Sequence, residues 1–120
     1  MYSIRVDVVR NRLYLTLVGF FSLVEIKKCG DETIEATKRL RLGYDVVTDI
    51  TQFKAGPAVV AADIERVQAH FRKSGARRGV RIVGGNVLSG MQFRRTGTNA
   101  EYNSVNVTSL EEAEKMLNDP

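Results

Sequence analysis

The sequence predicts an α/β fold: one mixed, mostly parallel five-stranded sheet carrying four helices in the order β-β-α-β-α-β-α-β-α. Three observations lead there. Apolar residues alternate in two neighbouring segments near the start, they recur at steps of three and four in four later segments, and short β-branched runs separate those later segments. Strands that alternate with helices after an opening hairpin imply right-handed crossovers and parallel pairing, which leaves the first strand as the antiparallel member.

In YSIRVDVV (2–9), Ile4, Val6 and Val8 face one way and Ser3, Arg5 and Asp7 the other, as in a half-buried strand. RLYLTLVG (12–19) repeats the pattern with Leu13, Leu15 and Leu17, while Tyr14 and Val18 make its second face apolar and place it inside the sheet. Arg10-Asn11 links the two, and Asn tolerates the left-handed backbone that a tight hairpin needs. A helix then starts at Ser22, with Glu25 at capping-box spacing. Leu23, Ile26, Gly30, Ile34, Thr37 and Leu40 form its core stripe, and Gly43 is the expected stop.

YDVVTDI (44–50) reads as the third strand, and a helix from Pro57 to near Gly75 follows with Val60, Ile64, Val67 and Phe71 on one stripe. GVRIVGG (79–85) is the fourth strand with its turn, NVLSGMQFRR (86–95) a helix capped by Asn86, and SVNVT (104–108) the fifth strand. The closing helix, SLEEAEKML (109–117), has Thr108 and Glu111 at capping-box spacing and is expected to bury Leu110, Ala113 and Leu117. With no linker, repeat or low-complexity run, residues 1–120 are expected to form a single domain.

Composition narrows the function classes. Hydrophobic residues make up 43% and charged residues 27%, an ordinary globular balance. No apolar run approaches the roughly 20 residues of a membrane span, and no secretory pattern opens the chain, so a cytoplasmic protein is expected. Cys29 is the only cysteine and His70 the only histidine, so the usual thiolate and imidazole metal sites cannot be completed, and neither a metal nor a cofactor is expected. No Gly-x-Ser-x-Gly elbow is present, and His70 falls beside an apolar helix stripe, so no catalytic set assembles. The net charge of +4 invites a nucleic-acid reading through Arg72, Lys73, Arg77, Arg78 and Arg81, but no aromatic interleaves them and basic residues are spread along the chain.

The stretch DITQFKAGP (49–57) is the candidate site. Loops at the carboxyl ends of parallel strands lead into helix N-termini, where ligands and partners of α/β proteins gather. Asp49, Thr51, Gln52, Phe53, Lys54 and Gly56 are the candidate partner- or ligand-binding residues. As a phosphate cradle the stretch is poor, with one Gly before the helix and Pro57 removing an N–H. Phe53 is either an exposed interface anchor or a core residue beneath the second long helix. VGGN (83–86) is a second such turn, read chiefly as one that needs positive φ.

The succession VVTDITQFKAG, helix, GVRIVGG, helix with RRTG, and VNVTSLEEAEKML resembles the STAS domain family of sulfate transporters and anti-sigma-factor antagonists. The likeness runs over nearly the whole chain in layout but rests on few residues: Asp49, Gly56, Gly97 and the segment from Thr108 to Leu117. It implies a non-catalytic interaction module of bacterial-type signalling, whose partner would be an anti-sigma factor or a regulatory kinase. In that family a Ser or Thr in an Asp-Ser-x-Gly-like turn at the start of the second helix is phosphorylated, and the added charge disrupts binding. Here Ala55 stands beside Gly56 where the Asp-Ser pair would be, so the standard switch is missing and Thr51 is only a displaced candidate phosphoacceptor. The competing reading is a domain that holds an anion or lipid-like molecule with Lys54, Gly56 and the VGG turn. The sequence leaves partner identity and oligomeric state open.

Overall fold

Asn11, in the left-handed region at φ 59°, turns the chain between β1 (Tyr2–Asp7) and β2 (Arg12–Gly19), which pair antiparallel. Thereafter α1 (Leu23–Thr37), β3 (Asp45–Phe53), α2 (Ala58–Lys73), β4 (Arg78–Ile82), α3 (Val87–Asn99), β5 (Ser104–Val107) and α4 (Leu110–Asn118) follow in a computed structural model that describes residues 1–119. β2, β3, β4 and β5 pair in parallel, each with its sequence neighbour, so the sheet order is β1-β2-β3-β4-β5. The mixed sheet, its four helices and its antiparallel first strand agree with the order read from the sequence.

Sequential strand order has a consequence for the layers. Crossovers of one hand that always step the same way put every connecting helix on the same face. α1 therefore packs on α2 and α2 on α3, above a core of Leu17, Ile50, Phe53, Ile64 and Phe93 and a second cluster around Leu13, Tyr44, Val46 and Phe71. α4 covers the opposite face, where Ala113 and Leu117 meet Tyr14, Val47, Val80, Ile82 and Val107. Because the strand order never reverses, this sheet lacks the crevice at a topological switch point that many α/β proteins use for ligands.

Several boundaries differ from the sequence reading. α1 ends at Thr37 rather than at Gly43, because the N–H groups of Lys38, Arg39 and Leu40 bond three residues back in tightened turns. Leu40 still packs on the core, whereas Leu23 is exposed. Pro57 lies at the N-cap, one residue before α2. Asn86 does cap α3, but that helix runs on to Asn99. The cap of α4 is Ser109, whose Oγ accepts from Glu112 N at 3.1 Å while the Glu112 carboxylate accepts from Thr108 N. The box thus sits one residue later than the Thr108/Glu111 pair, and Leu110 is left about half exposed instead of buried.

The amino ends of the strands are closed by charge. Asp45, 3% exposed, accepts from Arg77 Nη2 at 2.9 Å and Nε at 3.3 Å, with Arg78 Nε 3.6 Å away. Glu114 of α4 accepts from Arg12 at 2.7 Å and from the Tyr14 hydroxyl at 2.7 Å. The Arg78 guanidinium donates to the carbonyls of Met116 and Leu117, which satisfies the open end of α4.

Candidate functional site

β3 does not stop at Ile50. Its register against β2 shifts between the pairs Thr16↔Asp49 and Val18↔Gln52, so β3 carries one extra residue there. In a regular strand, residues three apart point to opposite faces. The bulge removes that conflict: Ile50 is 0% and Phe53 1% exposed, both on the face under the helices, while Thr51 and Gln52 are exposed. Phe53 stacks at 5.6 Å from Phe21 and edge-on at 5.5 Å from Phe93. Truncating a Phe so placed costs about 3–5 kcal/mol, so its part is core packing, and the reading of Phe53 as an exposed anchor is corrected.

A bulge leaves carbonyls without ladder partners, and the next turn supplies them. Asn86 Nδ2 donates to Ile50 O at 2.8 Å and to Phe53 O at 2.7 Å, and Ser89 Oγ donates to Phe53 O at 2.8 Å. Gly84, at φ +54°, makes the tight turn that delivers Asn86, and a side chain there would meet the Thr51 methyl. The VGGN turn is therefore a brace for β3.

The other candidates divide by availability. Asp49 is committed locally, its Oδ1 accepting from Thr51 N at 3.0 Å and from Thr51 Oγ1 at 2.8 Å. Gly56 is committed across the loop: its N–H donates to Gln92 Oε1 at 3.2 Å and its carbonyl accepts from Gln92 Nε2 at 2.7 Å. Thr51, Gln52 and Lys54 line an open groove of about 630 Å³ together with Val18, Gly19 and Asn86. Lys54 is its only charged lining residue among those described. With the Gly56 N–H already used, this end offers an anion little beyond one lysine.

What the end does offer is apolar surface. Phe20 is 75% exposed just after β2, and Val24, Val59, Val87, Leu88 and Met91 are exposed on the first turns of α1, α2 and α3. All follow the carboxyl ends of β2, β3 and β4, at the same end of the sheet as the groove. Sequence reasoning missed them because it followed only the inward stripes. The Phe20-Phe21 pair held a clue, since after a strand two successive aromatics rarely both reach the core; here Phe21 is buried and Phe20 is bare.

Cys29 is buried, and burial pushes its thiol up to about 11. His70 Nε2 lies 2.8 Å from Thr37 Oγ1, with burial and then Lys38 and Arg66 lowering its pKa from the ordinary 6.5. Among the described residues no group of three His, Cys, Asp or Glu side chains is placed to hold a metal, and no helix is long and apolar enough to cross a membrane. Of the basic residues weighed for nucleic acid, Arg72 pairs with Glu101, Arg77 and Arg78 are held at Asp45, and Arg81 is buried.

No family model matches the sequence, and no curated protein does. Solved structures do match the fold. An uncharacterised protein of the DUF3478 family with a SpoIIAA-like fold, from Shewanella loihica PV-4, superposes with a TM-score of 0.73 at 15% identity, covering 97% of this chain and 93% of that one. The anti-sigma factor antagonist SpoIIAA in its unphosphorylated form superposes with a TM-score of 0.62 at 9% identity over 100% of both chains. The chain therefore has a SpoIIAA-like, STAS-type fold, as the sequence layout predicts.

Proposed function

We propose that this protein is a non-catalytic STAS-type interaction module, acting in bacterial-type signalling in the cytoplasm, that binds a protein partner with the carboxyl-end face of its sheet. The observation that carries the reading is the set of exposed apolar side chains, from Phe20 through Val59 to Leu88 and Met91, at the end of the sheet where the groove at Thr51, Gln52 and Lys54 opens. Large apolar side chains left exposed at one end of a fold, beside polar groups, are a common mark of a protein-binding face. The groove's polar contribution comes from Thr51, Gln52 and Lys54, while Asp49 and Gly56 set its shape.

An anti-sigma factor or regulatory kinase fits the family resemblance as partner class. Control differs from the resemblance, since Ala55 stands where the phosphorylated Ser would be. Thr51 is a poor substitute: its hydroxyl already donates to Asp49, and a phosphate there would set a charge near −2 beside that carboxylate.

The test is affinity capture from native-host lysate with mass-spectrometric identification, comparing wild type with Phe20→Ser and Leu88→Ser. Both positions are exposed, so thermal midpoints should match wild type. The expected result is a protein retained by wild type and lost by both variants. Undiminished capture by both folded variants overturns the proposal.

A further inference from the structure

Away from that face, a second groove of about 410 Å³ opens between α3 and the β5 edge of the sheet. Arg81 on β4 lies at its inner wall. The residue is only 4% exposed, yet no carboxylate lies within 4 Å of its guanidinium among the described residues. Its one hydrogen bond runs from Nε to Asn106 Oδ1 at 2.9 Å, which leaves both terminal nitrogens without a protein acceptor. Phe93 lies 6.0 Å from the guanidinium carbon, a contact too long to replace a charge partner.

The arginine stays charged near neutral pH, and its terminal nitrogens open onto the groove, where water or an acceptor that enters can take their hydrogen bonds. Burial lowers its pKa, Tyr102 opposes that, and Arg94 adds to it. The rest of the wall supplies donors and no acid: Arg94 from α3, Asn103, Ser104, and the buried Tyr102 hydroxyl, which has no hydrogen bond of good geometry although Ser104 is close. Two guanidinium groups on one polar opening, with Asn103 and Ser104 beside them, form a donor set for a planar or tetrahedral oxyanion.

We propose that the α3/β5 groove is a binding site for a small oxyanion, a carboxylate or phosphate group, held by the terminal nitrogens of Arg81 and by Arg94. The two grooves share no lining residue, so each can be tested by variants that leave the other's lining intact.

The experiment uses the full chain at low ionic strength, titrated separately with inorganic phosphate and with succinate. Side-chain Nε–H signals of Arg81 and Arg94 are followed by NMR, and thermal midpoints are recorded. The expected result is saturable movement of the Arg81 signal with at least one of the two anions and a rise in midpoint. Arg94→Ala, an exposed change that should leave the fold intact, weakens that affinity by about tenfold or more. Lys54→Ala leaves it unchanged. Arg81→Gln abolishes the anion-induced rise while keeping a cooperative unfolding transition. An Arg81 signal unmoved by either anion, or an affinity equal in wild type and Arg94→Ala, overturns the proposal.

Discussion

The two ends of the parallel strands are built from opposite chemistry. At the amino end, buried Asp45 holds Arg77 and Arg78, Glu114 gathers Arg12 and Tyr14, and Arg78 closes the last turn of α4. At the carboxyl end the one ion pair among the described residues is the exposed Met1 amino group with Glu25, next to Val18; neutral amides and a hydroxyl from Asn86, Gln92 and Ser89 hold the backbone of β3, and large apolar side chains are left in water. Charges that are spent on each other cannot recognise anything else, whereas bare apolar side chains bind whatever covers them. The difference teaches that one end is committed to stability while the other leaves apolar surface uncovered, as the proposed partner face requires.

The comparison breaks first at Asp45. Replacing it with Ala strands the buried Arg78 Nε and frees Arg77, and should cost about 2–3 kcal/mol of unfolding free energy, read by chemical denaturation. Partner capture through the carboxyl end should be unchanged in the folded fraction. If capture fell with stability intact, the two ends would not be separate in function.

Asn86→Ala probes the other end. It removes the donor that bridges Ile50 O and Phe53 O, for about 1–2 kcal/mol, and it should raise amide hydrogen exchange at residues 51–54 selectively. Partner capture should fall with it, because the bulge sets the groove. Uniform exchange across the sheet would count against a local brace.

The smallest effect concerns His70, near the amino end. Its folded pKa lies below the unfolded 6.5, so the unfolded chain takes up the proton first on acidification. The stability this His contributes is present above pH 6.5 and is lost as pH falls through the folded value. Wild type should therefore lose slightly more thermal stability between pH 7.5 and 5.5 than His70→Gln.

These features were unequally legible in the sequence. Alternation and helical stripes are repeated signals, so β1, β2 and the inward face of α2 could be read from Ile4, Leu15 or Ile64 directly. The end of β3 could not, because a bulge breaks the period that defines a strand: Ile50 and Phe53 differ by an odd number of positions and only the extra residue lets both face inward. The candidate stretch was found because strand-to-helix turns can be recognised by Asp49, Gly56 and Pro57. Which of its groups were free could not be, since Gln92 and Asn86 come from α3 and its cap, more than 30 positions away. Arg81 reads as one more surface charge until α3 and Phe93 are laid over it.

The tie between α4 and the first hairpin bears on how the chain assembles. Every strand pairs with its sequence neighbour, so the sheet can grow by short loop closures that cost little entropy. The Arg12–Glu114 pair instead spans 102 positions. α4 can dock only onto a surface that β2, β3 and β4 have already built, which makes it a clasp that locks a finished sheet. Loosening that clasp, as in Glu114→Gln, should therefore speed unfolding more than it slows folding, read from the two arms of a denaturant chevron.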